Sequence, residues 1–213
     1  MKTFHSSLQG QRKYQEDRYG IITNDLITTV VVSDGMGGHP NGDKAAEAVI
    51  SSIAKSESST NVQEALAALT DALWFADKKC RHQRDYRGAT ATAIRILEKF
   101  IVYVHAGDTR FYTKAYKATE LKRITEDHGH GSRLYNGIGF LQTIDKGTIH
   151  RQGIEALILT TDGIHDTLSE ADMYALIQSA LEADSNPAAL LVQEAIASDS
   201  QDNCTAVVLV LGD

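Results

Sequence analysis

The apolar positions of the chain follow two patterns that alternate along its length. Short continuous runs rich in β-branched residues, such as Val30-Val31-Val32, are typical of strands buried on both faces. Longer stretches with apolar residues at three-and-four spacing predict amphipathic helices. We expect strands over residues 2–8, 18–23, 30–32, 88–97, 100–106, 109–117, 119–125, 138–144, 148–151, 155–161 and 206–211. We expect helices over residues 43–55, 61–81, 169–181 and 187–198.

The connections between these elements indicate the fold class. Only Glu98-Lys99 separates two of the predicted strands, and so short a link joins only antiparallel neighbours. Such hairpins exclude a purely parallel, doubly wound sheet. The order of strands, two helices, antiparallel strands, two helices and a final strand predicts an α+β sandwich of two sheets covered by helices. Within the second helix we expect Leu69, Leu73 and Trp74 to face the core.

Length and composition are those of a globular protein of one domain, or at most two small ones, and without a visible linker we take residues 1–213 as one domain. The net charge of −7 argues against binding to nucleic acid or to an anionic membrane, because proteins that do so are usually basic. Cys80 and Cys204 lie far apart in apolar segments, which suits a reducing compartment. With no apolar signal region and no membrane-spanning run, we expect a cytoplasmic monomer.

Four of the apolar strands carry an aspartate at one end, namely Asp34, Asp108, Asp162 and Asp202. Any one of them alone is better explained as a turn residue, since Asp-Gly pairs are common in turns. Four together need another explanation, because unpaired carboxylates beside buried strands are costly and basic residues are scarce nearby. Oxygen ligands without a Cys/His zinc pattern favour Mg²⁺ or Mn²⁺. Two such ions roughly 3.5–4 Å apart could activate water for attack on phosphorus.

Short motifs around these aspartates recur in a fixed order. They occupy residues 12–17, 34–39, 88–90, 106–110, 125–128, 161–163 and 202–205. In sequence and order they resemble the motifs of the metal-dependent protein Ser/Thr phosphatases of the protein phosphatase 2C (PP2C, PPM) family in its compact bacterial form. The resemblance covers nearly the whole chain. It implies a four-layer αββα sandwich, with two mostly antiparallel sheets flanked by helix pairs.

The resemblance also implies a set of metal ligands. Asp34 would bridge two Mn²⁺ or Mg²⁺ ions. Asp162 and Asp202 would complete the ligands of the first ion. Glu16, directly or through water, and the backbone carbonyl of Gly35 would hold the second ion.

Further residues receive roles from the same resemblance. Asp108 would bind a third, weaker ion, with Asp162 as another candidate ligand for it. Asp17 would orient ligands or metal-bound water. Arg12 would clamp the phosphate, because a planar guanidinium offers two parallel donors. Asn203 would either fix the Asp202 carboxylate through its side chain or form an Asx turn.

The implied reaction is direct hydrolysis of phosphoserine or phosphothreonine, without a phosphoenzyme, in a phosphorylated protein substrate that opposes a Ser/Thr kinase. Water activated by the two ions would attack phosphorus, and the ions and Arg12 would offset the developing charge. Some family members carry a histidine as general acid where this chain has Met36. The proton would then come from metal-bound water or from another group, with His39 as a candidate. The flap, residues 129–138, is much reduced.

Two other interpretations remain open at this point. A haloacid-dehalogenase-like phosphohydrolase also places a nucleophilic aspartate after a buried strand, but it would need Asp-x-Asp and a parallel sheet. A catalytically weak module of the PP2C fold could instead sense metal or hold a phosphoprotein. Such a module should have lost a bridging carboxylate, and this chain retains them all.

Overall fold

The computed structural model describes residues 1–37, 41–83, 87–130 and 133–212. Its strands are β1 (Lys2–Leu8), β2 (Arg18–Thr23), β3 (Thr28–Ser33), β4 (Ala91–Ile96), β5 (Phe100–Ala106), β6 (Arg110–Ala115), β7 (Lys122–Arg123), β8 (Gly129–His130), β9 (Arg133–Leu134), β10 (Asp145–His150), β11 (Ile154–Thr160) and β12 (Cys204–Val210). Its helices are α1 (Gly42–Ala54), α2 (Val62–His82), α3 (Asp162–His165), α4 (Glu170–Glu182) and α5 (Pro187–Ala197).

The main strands form two five-stranded sheets. One sheet has the order β1-β12-β11-β6-β7 and the other the order β10-β5-β4-β3-β2. Helices α1 and α2 cover the second sheet, whereas α4 and α5 cover the first. The predicted α+β sandwich is therefore confirmed. Every strand pairing among the described residues is antiparallel, which excludes the parallel sheet of a haloacid-dehalogenase-like fold.

Apolar side chains fill the three spaces between these four layers. In β3, Val31 faces the helices α1 and α2, whereas Val30 and Val32 face the opposite sheet. Both faces of this strand are buried, which explains why it contains the continuous apolar run Val30–Val32 rather than an alternating pattern. Among the described residues, no helix combines the length and the apolar character needed to cross a membrane.

Antiparallel pairing brings the strand ends that carry the aspartates to one end of the sandwich. In the first sheet, the C-terminal end of β11 lies beside the N-terminal end of β12. In the second sheet, the N-terminal end of β4 lies between the C-terminal ends of β3 and β5. Asp34 follows β3, Asp108 follows β5, Asp162 follows β11, and Asp202 precedes β12.

The segment 138–144 is not the strand that its apolar residues predict. Ile138 makes one strand-like bridge to the segment before β4, and the residues after it form a loop. The backbone amides that a strand would offer to a neighbour are bonded to a side chain instead, since Gly139 and Leu141 both donate to Asp77. Side-chain acceptors have thus replaced a strand partner.

Other differences from the prediction are smaller. Trp74 is 43% exposed because it lies beside, rather than on, the buried stripe of α2 that contains Leu73. Residues 126–137, for which no helix or strand is predicted, contain the short paired strands β8 and β9. Helix α3 was not predicted, since four residues are too few to show a helical period.

Candidate functional site

The strand ends that carry the aspartates open onto one pocket of about 700 Å³. Its carboxylates are Glu16, Asp34, Asp108, Asp162, Asp166 and Asp202. Its arginines are Arg12, Arg87 and Arg133. Gly35 and Asn203 also line the pocket, so the structure gathers residues that are up to 191 positions apart in sequence. The expectation that basic residues are scarce nearby is wrong.

Three carboxyl groups of the pocket have raised pKa values, chiefly because they are buried. Burial raises the pKa of Asp162 to about 8, and the charges of Asp202 and Asp108 add to this shift. Burial, followed by the charge of Asp162, raises the pKa of Asp34 well above its usual range. Burial and the charge of Asp127 raise the pKa of Asp108 to about 6. The pocket therefore concentrates negative charge that a cation would stabilise.

The donor set of the pocket fits a hard divalent cation. Within the described residues, the buried Oδ1 atoms of Asp17 and Asp162 have no hydrogen-bond partner. Buried polar atoms are normally paired, so such oxygens are suited to bind a cation or a water molecule. No three His, Cys, Asp or Glu side chains in the described ranges are grouped closely enough to enclose an ion as they stand. Because like charges repel, we expect these carboxylates to move closer together around a cation.

Glu16 is placed in the pocket by backbone contacts at the start of α1. Its Oε1 atom accepts a hydrogen bond from the N–H of Gly42 at 3.1 Å. Negative charge is favoured at the N-terminal end of a helix. A side-chain carbon at Gly37 would lie only 1.6 Å from Oε2 of Glu16, so a side chain there would displace the carboxylate.

Asn203 joins the start of β12 to the loop between β1 and β2. Its Oδ1 atom accepts the N–H of Glu16 at 2.8 Å, and its Nδ2 group donates to the carbonyls of Gln9 and Tyr14. The backbone N–H of Asn203 donates to Oδ1 of Asp202 at 2.8 Å. Asp202 is therefore held by the neighbouring backbone N–H, while the side chain of Asn203 holds the distant loop.

Asp17 lies behind the pocket and is buried. Its Oδ2 atom accepts a hydrogen bond from the hydroxyl of Thr161 at 2.8 Å. Thr161 immediately precedes Asp162, so this bond connects the Glu16-Asp17 segment to the end of β11. Burial raises the pKa of Asp17 to about 6, although the hydrogen bonds from threonine hydroxyls oppose the shift.

The turns that carry Asp34 and Asp108 are connected through threonine side chains. The N–H of Asp34 donates to Oγ1 of Thr90 at 2.9 Å, and the N–H of Thr90 donates back to the carbonyl of Asp34 at 2.8 Å. The hydroxyls of Thr90 and Thr109 are hydrogen-bonded to each other. Asp34 and Asp108 are thus fixed relative to one another without a direct contact.

The segment 125–128 supports the Asp108 turn from the other side. Arg110 donates to both carboxylate oxygens of Asp127, from Nε at 3.0 Å and from Nη2 at 2.6 Å. Nδ1 of His128 accepts the N–H of Gly107 at 3.3 Å. These residues therefore act through the backbone next to Asp108 rather than from inside the pocket.

Arg12 lies at the pocket and contacts the segment before β12. Its Nη2 group donates to Oδ2 of Asp202, and its Nε group donates to the carbonyl of Gln201 at 3.2 Å. Burial lowers the pKa of Arg12, but the charge and hydrogen bond of Asp202 and the charges of Asp162 and Asp34 together outweigh that effect, so the pKa lies above its ordinary value. The two side chains are 47% and 29% exposed, so their ion pair is weak enough to exchange for a phosphate group.

Sequence reasoning missed several residues of this pocket. Asp166 lies one turn after Asp162, its N–H donates to the Asp162 carbonyl at 2.8 Å, and burial raises its pKa. The four-residue spacing of these aspartates could have indicated it. Arg87, Arg133 and Phe140 reach the pocket through tertiary contacts and belong to no motif. The candidate proton donor His39 and the flap residues Gly131 and Ser132 lie outside the described residues.

Known proteins resemble this chain over nearly its whole length. The serine/threonine phosphatase stp of Listeria innocua is 22% identical, over 93% of this chain and 90% of that protein. The protein phosphatase PhpP of Streptococcus pneumoniae is 22% identical, over 87% of each. Among solved structures, the S. agalactiae serine/threonine phosphatase superposes with a TM-score of 0.87 at 22% identity, covering 99% of both chains. The serine/threonine phosphatase Stp1 from Staphylococcus aureus superposes with a TM-score of 0.86 at 21% identity, covering 100% of this chain and 95% of that chain.

These solved structures show that the fold is shared. The sequence provides the stronger assignment, because residues 7–196 match the family model described as Protein phosphatase 2C. That match spans all the motifs except the last one, at residues 202–205. The chain therefore belongs to the protein phosphatase 2C family.

Proposed function

We propose that this protein is a metal-dependent Ser/Thr phosphatase that hydrolyses phosphoserine and phosphothreonine in protein substrates. The observation that carries the proposal is the convergence of Asp34, Asp108, Asp162 and Asp202 on one pocket that also contains Arg12. Family membership and the similarity to named Ser/Thr phosphatases support it.

The pocket would hold Mn²⁺ or Mg²⁺ through oxygen atoms. In this proposal Asp34 would contribute to two ions, Asp162 and Asp202 would contribute to the first, and Glu16 and the carbonyl of Gly35 would contribute to the second. Asp108 would contribute to a third, weaker site. When bound, such ions lower the pKa of a water molecule and offset charge on phosphoryl oxygens. Asp17 would keep Asp162 in place through its contact with Thr161.

The chain's own residues would bind and orient the phosphoryl group. Arg12 can offer two parallel N–H donors to phosphate oxygens once it leaves Asp202. Among the described residues that line the pocket there is no serine, cysteine or histidine. The hydroxyl of Thr90 is already bonded to Asp34 and Thr109. These features support attack by water rather than by a hydroxyl, thiol or imidazole of the protein.

The wider setting is proposed on the same basis. We take residues 1–213 as one catalytic domain whose substrates are phosphoproteins and whose activity opposes a Ser/Thr kinase. The described part of the segment 129–138 contributes Arg133 and Leu134 to the pocket, so it would act as a short rim in place of a longer flap. We further propose that the protein acts as a monomer in the cytoplasm.

Hydrolysis of a phosphothreonine peptide and of p-nitrophenyl phosphate tests this function. We expect both to be hydrolysed with Mn²⁺, with loss of activity in EDTA and in Asp34→Asn. The matched control is Asp25→Asn, which changes an exposed aspartate outside the pocket. Activity that survives both EDTA and Asp34→Asn would contradict the mechanism. Inactivity of the wild-type protein with every divalent metal would favour the phosphoprotein- or metal-sensing module.

A further inference from the structure

Helix α2 carries a buried carboxylate that the pocket does not contain. Asp77 is 4% exposed, and its Oδ1 atom accepts the N–H groups of Gly139 at 2.8 Å and Leu141 at 3.0 Å. Its Oδ2 atom accepts Nε of Arg81 at 2.6 Å, and Arg81 also donates to the carbonyl of Leu141 at 2.8 Å. We call Asp77 and Arg81 the α2 clamp, because together they hold the loop 137–141.

A core position on a helix does not require this arrangement. Burying a carboxylate is costly unless it is hydrogen-bonded, so packing alone would favour an alanine or leucine at position 77. Arg81 is 49% exposed and could reach solvent instead of the loop. The contacts that only Asp77 provides are those to two backbone amides of the loop. Its role must therefore be sought in that loop.

The loop 137–141 is pressed against the segment before β4. Ile138 and Ala89 exchange two backbone hydrogen bonds, at 2.8 and 3.1 Å. Gly139 has φ +98°, a left-handed conformation that favours glycine, and a side-chain carbon there would lie 3.0 Å from the carbonyl oxygen of Arg87. A carbon added at Gly88 would lie 2.9 Å from the carbonyl oxygen of Ile138. The two backbone segments are therefore too close together for a side chain at either glycine.

The same segment holds the Asp34 loop on its other side. Ala89 forms a second strand-like bridge, to Gly35, and the N–H of Met36 donates to the carbonyl of Gly88 at 2.9 Å. Three backbone segments therefore lie side by side, with the α2 clamp at one edge and Asp34 at the other. Met36 and Phe140, from the two outer segments, both line the pocket.

We propose that Asp77 is a positioning residue, which sets the Phe140 wall of the pocket and, through Ala89, the Asp34 loop. This inference rests on the proposed phosphatase function. Without the Asp77 acceptor, the amides of Gly139 and Leu141 lose their partner and the loop shifts. Substrate then binds less well to the displaced wall, and the carboxylate of Asp34 is less well placed for Mn²⁺.

The test compares Asp77→Ala with Asp77→Asn and with Leu69→Ala. Asparagine keeps an oxygen acceptor for both amides, and the half-exposed Arg81 can turn away from its amide group. Leu69 is a fully buried residue of the same helix, so Leu69→Ala lowers stability without removing a hydrogen bond to the loop. A loss of folded protein reduces the apparent kcat but leaves KM unchanged, which separates a positioning role from a structural one.

For Asp77→Ala we expect KM for the phosphothreonine peptide to rise about tenfold. A change of this size corresponds to the free energy that roughly one hydrogen bond contributes. We expect weaker Mn²⁺ binding by calorimetry and faster hydrogen exchange at Gly139 and Leu141. Asp77→Asn should stay within about threefold of wild type, and Leu69→Ala should keep the wild-type KM. If Asp77→Ala does not fold, Arg81→Gln should show the same changes to a smaller extent.

Wild-type KM, Mn²⁺ affinity and amide exchange in Asp77→Ala would overturn the inference while leaving the phosphatase function intact. If the wild-type protein hydrolyses neither substrate, the proposed function fails instead. The positioning role of Asp77 is then tested by hydrogen exchange and Mn²⁺ titration. Unchanged exchange rates and Mn²⁺ affinity in Asp77→Ala would reject that role, and the expected changes would support it.

Discussion

The side-chain oxygen of Asn203 accepts a hydrogen bond from the backbone N–H of Glu16 at 2.8 Å, across 187 positions of sequence. This contact fastens the loop that carries Arg12, Glu16 and Asp17 to the strand that begins after Asp202. Together with the pairing of β1 and β12, it holds carboxylates from the two ends of the chain at one pocket. Asn203 should therefore influence metal binding even though its own side chain is engaged elsewhere.

Asn203→Ala should weaken Mn²⁺ binding and lower the melting temperature. The change leaves the N–H of Glu16 without its acceptor, and each unpaired buried group costs about 1–3 kcal/mol. Titration calorimetry and thermal unfolding measure the two effects. Asn186→Ala is the matched control, because it removes the N-terminal cap of α5 outside the pocket. It should lower the free energy of unfolding by about 1 kcal/mol, and with it the melting temperature, but leave Mn²⁺ affinity unchanged. Equal Mn²⁺ affinity in both variants would refute the role of Asn203.

Arg12→Lys and Arg12→Gln should both reduce kcat/KM for a phosphothreonine peptide, by about tenfold to a hundredfold. Lysine keeps the charge but loses the two parallel donors, so its defect should approach that of glutamine. The fold should be unaffected, since the pair with Asp202 is partly exposed. Arg151→Gln, outside the pocket, is the control. A fully active Arg12→Lys protein would show that charge alone is needed.

The pH dependence of stability should differ between the metal-free and the Mn²⁺-bound protein. The folded pKa of Asp162 is about 8, above its ordinary value of 3.8, so the metal-free folded state binds more protons than the unfolded state between these values. Stability is therefore lost as pH rises through about 8. Mn²⁺ needs the ionised carboxylate, so its binding strengthens over the same range.

Thermal unfolding between about pH 7 and 9 measures this effect, in a range where the buried His105, whose pKa is lowered to about 4, is neutral in both states. We expect the melting temperature of the metal-free protein to fall with pH and that of the Mn²⁺-saturated protein to fall less or rise. Asp162→Asn should flatten the metal-free profile. Parallel profiles with and without Mn²⁺ would contradict the proposed ligand role of Asp162.

Gly37→Ala should weaken Mn²⁺ binding without removing any carboxylate. The added carbon would lie 1.6 Å from Oε2 of Glu16, so the carboxylate must move away. Gly153→Ala controls for general destabilisation, since alanine at that exposed glycine strains a left-handed backbone (φ +82°) while its added carbon meets nothing within 4 Å. Calorimetry should show a lower affinity only for Gly37→Ala. Unchanged binding would mean that Glu16 does not contact the ion.

The fold was largely predictable because its buried strands are visible in the sequence as continuous apolar runs. Val30–Val32 is apolar on both faces, and each face meets a different core. The signal failed at residues 138–144, where an apolar segment is fixed by Asp77, a residue more than 60 positions away. Periodicity reports the burial of side chains and contains no information on which groups satisfy the backbone amides.

The site was predictable in its carboxylates and less so in its arginines. Aspartates at the ends of buried strands stand out, because an apolar run rarely ends in a charge without a reason. Arg12 follows from a motif, but its pairing with Asp202 depends on tertiary structure. Arg87 and Arg133 lie in no motif and enter the pocket only through the packing of loops.

The most direct test is a crystal structure of the wild-type protein with Mn²⁺, with the ions located by anomalous scattering. We predict two Mn²⁺ ions roughly 3.5–4 Å apart, joined by Asp34, with Asp162 and Asp202 on one ion and Glu16 and the carbonyl of Gly35 on the other. Manganese bound away from Asp34, or only one ion in this pocket at saturating Mn²⁺, would contradict the binuclear site.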